Sequence, residues 1–254
     1  MADVRPELGE QGWRFFSGLH RLLLHLAGRV PDEWLNHVRA MLAAGDLAQI
    51  PDTVSGAVAD LGVPLTTGQV ALLRETVGTF FGGREPMRIE QVRISDEIPA
   101  PSHRFFPVPA DVLATDAARI PPRLDLSGRP GDDLWDLPPA LAALDDLADR
   151  LTDLEDSSPV SVLRGNEDVL SIARAWRCPP EAGVRVVLVE VAAGAAAWDI
   201  MRTVQQALQR HGDSGAQVEV FWTGEDLSPY HRAALAGSAL FRRPSHAGGG
   251  TGGR

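Results

Sequence analysis

The chain predicts a mixed α/β fold, with an N-terminal helical bundle-like domain followed by a small C-terminal α/β domain. Three observations carry this expectation. Apolar residues recur at helical spacing through the first third, and two β-branched runs, VRVVLVEV at 184–191 and QVEVFW at 217–222, lie near the end. Between them the chain is rich first in proline and then in acid. The expected boundaries are 1–84 for the helical domain, 85–124 for a strand plus a Pro-rich connection and 125–158 for an acidic linker and amphipathic helix. An α/β domain at 159–243 and a disordered Gly-rich tail at 244–254 complete the chain.

In the first third, Phe15, Phe16, Leu19, Leu22, Leu23 and Leu26 form one stripe that Gly28 closes. Pro31, Asp32 and Glu33 open a second helix, whose stripe of Trp34, Leu35, Val38, Met41 and Leu42 ends near Gly45. Residues 52–61 suit a third. Thr66 followed by Gln69 is a capping-box pair, and Val70, Leu73, Val77 and Phe80 extend that helix to Gly82.

Met87 to Ile94 alternates and reads as a strand with neither face cleanly apolar. Prolines then make the chain extended, with one short helix over 110–118. Ten acids against two arginines fall within 125–156, so most of the net charge of −10 is local, and Leu141, Leu144, Leu147, Leu151 and Leu154 give that segment a helical stripe. Residues 166–177 fit either a helix capped by Asn166 or a strand forming a hairpin through Pro179 and Pro180; the strand is favoured. Trp198, Met201, Val204 and Leu208 mark a helix after the first β-branched run, and 226–241 reads as a closing helix. Gln91-Val-Arg-Ile resembles Gln217-Val-Glu-Val, but the segments upstream of the two do not match, which favours chance over duplication.

Composition excludes several mechanisms. All 24 basic residues are arginine, so there is no Schiff-base lysine and no phosphate-binding P-loop lysine. The single cysteine, Cys178, rules out a disulfide within the chain and a Cys-rich zinc site. The N-terminus has no apolar run behind a basic region, and no apolar stretch is long enough to span a bilayer. A cytoplasmic protein of a GC-rich bacterium, without integral membrane association, is the expectation.

The candidate chemistry is sparse. Gly248, Gly250 and Gly253 match G-x-G-x-x-G formally, but no helix follows to receive a pyrophosphate. Glu190 near the end of a strand, with Asp226 and His231 after the next one, could converge as acid–base groups at one end of the C-terminal sheet. Ser228 or Asp226 reads as the N-cap of the last helix, with Pro229 at its first position. Cys178 would be a thiolate only if Arg174 and Arg177 surrounded it. Neither cofactor nor metal is expected.

With no catalytic signature, the chain reads as a non-enzymatic protein-interaction or regulatory module. Its contact is Asp145, Asp146, Asp149 and Asp153, and its partner a protein whose basic charge would complement them. The alternative class is a small-molecule enzyme built on Glu190, Asp226 and His231. A helix-turn-helix DNA binder is a third class, opposed by Arg74 being the one basic group on 66–81 and by the overall acidity; nucleic acid is not an expected partner.

Overall fold

The computed structural model describes residues 3–97, 99–128, 136–178 and 183–242. The expected tail, with its glycine pattern, and the hairpin prolines lie outside these. Helices α1 (Arg5–Leu26), α2 (Asp32–Ala44), α3 (Ile50–Leu61) and α4 (Thr67–Phe81) follow the apolar stripes. The first begins earlier than its stripe, with non-helical backbone at Gly9. Thr66 caps α4 as its spacing predicts: Gln69 N–H donates to Thr66 Oγ1 at 3.2 Å, and Thr66 N–H donates to Gln69 Oε1 at 2.9 Å.

Residues 87–94 are not a strand. Ile89 and Val92 are the buried positions, three apart, and a 3-10 turn over Ile89–Gln91 carries them into the helical core while Met87 and Ile94 stay exposed. Three-residue spacing suits a turn; a strand would have buried every second residue. Next come β1 (Arg104–Phe106), α5 (Ala110–Asp116) and β2 (Leu124–Asp125). The acidic segment forms a 3-10 helix over Pro139–Leu147, then α6 (Ala148–Leu151) and α7 (Leu154–Val162), rather than one amphipathic helix. Its leucines Leu144, Leu147 and Leu151 turn inward against Val108, Val112, Leu124 and Phe241.

The remaining elements are β3 (Val169–Cys178), β4 (Val184–Val191), α8 (Ala197–Arg210), β5 (Gln217–Trp222), α9 (Pro229–Ala236) and β6 (Ser238–Arg242). The predicted closing helix therefore stops halfway and becomes a strand. At Gly237 a Cβ would lie 2.4 Å from the Phe105 carbonyl oxygen, so the bare backbone lets β1 pass and the chain turns into β6.

The sheet runs β2-β6-β3-β4-β5, with β1 also antiparallel to β3. β3 pairs antiparallel with β4 and β6; β4 pairs parallel with β5 through the α8 crossover, and β2 parallel with β6. On one face Val187, Val189, Val218 and Val220 meet Trp198, Met201 and Val204 of α8 in a cluster that continues into Leu19, Leu23, Val38 and Val54 of the helices. On the other, Ala173, Ala175, Leu188 and Phe221 meet Ala234 of α9 and Leu24 of α1. Strand β5 is thereby buried at all six positions. Gly28, after α1, has φ +70°, and a Cβ there would sit 2.5 Å from the Tyr230 ring; only glycine suits both the backbone and the contact.

Candidate functional site

Covering β5 on both faces and along its free edge makes its polar atoms expensive unless they find partners. Helices α1 and α2 supply them. Arg39 Nη1 donates to Val218 O at 3.1 Å, and His20 Nε2 donates to Val220 O at 2.7 Å. Between these carbonyls, Glu219 points to the α9 face with its side chain wholly buried. Arg39 Nη2 donates to Glu219 Oε2 at 2.5 Å, and His231 Nε2 donates to the same oxygen at 3.0 Å. Glu219 Oε1 has no hydrogen-bond partner among the described residues.

Burial alone would raise the Glu219 pKa, but the Arg39 guanidinium and the His231 hydrogen bond outweigh it and hold the carboxyl at about 2. An ionised carboxylate only accepts, which places the proton of a neutral His231 ring on Nε2. Nδ1 is then an acceptor, and the Ser228 hydroxyl, 2.8 Å away, donates to it. Ser228 occupies the N-cap position of α9 and Pro229 its first turn, yet the Ser228 side chain caps no backbone amide. Its hydroxyl is spent on the imidazole instead.

The resulting chain runs Arg39, Glu219, His231, Ser228, from the buried edge of the sheet to the surface. At its outer end Ser228 lines two clefts, and His25 of α1 lines both beside it. One, of about 220 Å³, carries charges of both signs: Arg21, Glu225, Asp226 and Arg232 line it with Gln69, Leu24 and Leu227. The other, of about 330 Å³, is walled by Ala27, Val63, Pro64, Pro99, Pro101 and Tyr230. Burial, reinforced by Arg29 and His231, lowers His25 to about 4, so it faces these clefts as a neutral imidazole at pH 7.

Of the three predicted acid–base groups, Asp226 and His231 line one cleft and Glu190 does not. Glu190 accepts from Ser171 Oγ at 3.1 Å. Asp226 is fully exposed and lies 3.4 Å from Arg232. Glu219 and Arg39 carry the site and had no obvious signal, since a lone acid in an alternating strand reads as a wet face. The available clue was Glu219 within a run flanked by helices on both sides.

The acidic contact residues divide. Asp146 binds Arg119 at 2.5 Å, and Asp153 caps α7 and binds Arg185 at 2.6 Å. Asp145 and Asp149 are exposed. Cys178 is a free, half-buried thiol whose pKa burial pushes up. The neighbouring arginines are engaged elsewhere, Arg174 with Asp156 and Arg177 with Asp32. Arg74 of α4 is paired with Glu85. Among the described residues no group of three or more His, Cys, Asp or Glu could hold a metal ion, and no helix is long and apolar enough to cross a membrane. No family model, characterised protein or solved structure matches the chain.

Proposed function

We propose that the chain is a small-molecule enzyme of the acyl-transfer class, with Ser228 as nucleophile and His231 as general base. The observation that carries this reading is the hydrogen-bonded series Ser228 Oγ to His231 Nδ1, 2.8 Å, and His231 Nε2 to Glu219 Oε2, 3.0 Å, ending at a cleft. Nucleophile, base and orienting acid are the three parts that activate a serine at neutral pH. The two ring nitrogens are used in the opposite sense from serine proteases, where Nε2 faces the serine. Either nitrogen is competent once the other is fixed by its partner.

In the proposed reaction, Ser228 Oγ attacks the carbonyl carbon of an ester as its proton passes to His231 Nδ1. The C–O bond to the alcohol breaks, and His231 returns the proton to the departing oxygen. Water then cleaves the acyl-serine by the same transfers, so ester and water give acid and alcohol. Glu219 is a positioning residue: it fixes the tautomer and balances the imidazolium, while Arg39 keeps it ionised. The amides of the first turn of α9, which no side chain caps, lie at the end of a helix dipole suited to the developing oxyanion. This reading is preferred to an interaction surface on 125–156 because Asp146 and Asp153 are already committed to Arg119 and Arg185.

Hydrolysis of p-nitrophenyl acetate tests it. Ser228→Ala is expected to abolish turnover above the buffer rate while preserving the fold, since the hydroxyl caps no amide. His231→Gln is expected to lower kcat by about 10²–10⁴-fold. Turnover that survives in Ser228→Ala would overturn the assignment.

A further inference from the structure

We infer that the substrate is an ester joining a short-to-medium apolar acyl group to a polar alcohol, an inference that rests on Ser228 being the nucleophile. Ser228 sits on the wall shared by two clefts of contrasting chemistry. On one side, three prolines and Ala27, Val63 and the Tyr230 ring form most of a slot of about 330 Å³, where His25 and Ser102 are the uncharged polar side chains beside Ser228. Its one cation, Arg29, is engaged with the Pro64 carbonyl at 2.7 Å, and burial lowers its pKa, which marks a site inhospitable to further charge. The Tyr230 hydroxyl points away to Arg177, 3.2 Å off, leaving the ring to line the slot.

On the other side, Arg21, Glu225, Asp226 and Arg232 supply two charges of each sign, with the Gln69 amide beside them. Arg21 and Glu225 are 2.6 Å apart, and Arg232 and Asp226 3.4 Å. Such a balanced cleft favours neither a net anion nor a net cation and suits hydroxyl-rich or zwitterionic groups. A carbonyl carbon at Ser228 Oγ therefore has an apolar side on which to place its acyl chain and a polar side through which the alcohol leaves. The exposed residue Ala100 also lines the slot, so the loop that carries it bounds the space open to an acyl chain.

The test is a series of p-nitrophenyl esters with acetyl, butyryl, octanoyl and palmitoyl groups, run beside fluorophosphonate labelling of Ser228. Each buried methylene favours transfer from water by about fourfold, so kcat/KM is expected to rise about 15-fold over the two methylenes from acetyl to butyryl and to collapse at palmitoyl. Ala100→Trp, which adds bulk to the slot wall, is expected to erase the gain from acetyl to butyryl. Labelling of Ser228 with kcat/KM flat or falling from acetyl to butyryl would overturn the slot and leave the nucleophile standing. Absence of both labelling and turnover would overturn the two together.

Discussion

His20 shows how one residue carries both stability and its pH dependence. Burial, assisted by Arg39 and Arg21 and opposed by the Val220 hydrogen bond, lowers its pKa to about 4. In the unfolded chain it returns to about 6.5. Between those values the unfolded state binds a proton that the native state refuses, so stability falls as the pH drops through that window. Glu219 acts lower: its pKa falls to about 2 from 4.5, so its contribution is present above the unfolded value and fades as the pH drops through about 2. Urea unfolding at pH 7 and pH 5 should separate the histidine effect. His20→Gln keeps a donor for Val220 O, and the wild type is expected to lose about 2 kcal/mol more than this variant between the two pH values. Equal losses would show that His20 is not held neutral. At this scale the sequence was legible where partners are local. The Thr66 and Gln69 capping box formed as its spacing predicts. The Ser228 hydroxyl left its expected cap for His231, because the imidazole was fixed by Glu219 from another element. Arg39 and Glu219, 180 residues apart, could not be paired by spacing at all.

Among the elements, α7 is held by charge as well as by Val160, which packs against both neighbouring apolar clusters. Asp156 is almost fully buried and accepts Arg174 through two hydrogen bonds, at 3.0 and 2.7 Å, and Arg185 through a third. Arg185 also holds Asp153 and Asp213, at 2.6 and 2.7 Å. Arg174 is otherwise left with the Pro107 and Leu151 carbonyls. Asp156→Ala is therefore expected to cost about 3–5 kcal/mol, because it strands a buried guanidinium, whereas Asp156→Asn should cost less by keeping hydrogen-bond acceptance. An unfolding free energy lowered by less than about 1 kcal/mol in Asp156→Ala, measured by urea denaturation, would refute this role of Asp156 in α7. Strands β4 and β5 were readable because β-branched runs leave little choice of backbone. The 87–94 turn and β6 were not. One buries residues three apart within an apparent alternation, and the other is a five-residue strand that exists because Gly237 admits the β1 backbone and β3 offers a free edge.

At the scale of the molecule, one apolar cluster joins the helices of the first third to the sheet, and the site lies where they meet. Each half supplies part of it: Arg39, His25 and Arg21 from the helices, and Glu219, Ser228 and His231 from the sheet side. This explains why the mixed α/β class could be predicted while the site could not, since helical and strand periods are local and the site is a product of docking. Among the described acids of 125–156, Asp146, Asp153 and Asp156 have partners within the fold, in Arg119, Arg174 and Arg185. These acids do not charge the clefts, whose arginines and acids balance. The absence of lysine leaves arginine to serve both as surface charge and as buried fork, and the buried forks are what pair Glu219 and Asp156.

In the proposed site His231, held by Glu219, activates the Ser228 hydroxyl. The most direct test is to incubate the folded chain with a fluorophosphonate probe, followed by intact-mass measurement and peptide mapping. A single adduct on Ser228 is expected, absent in Ser228→Ala and forming much more slowly in His231→Gln. A folded wild-type chain that takes up no probe, or an adduct that maps elsewhere, would contradict the account.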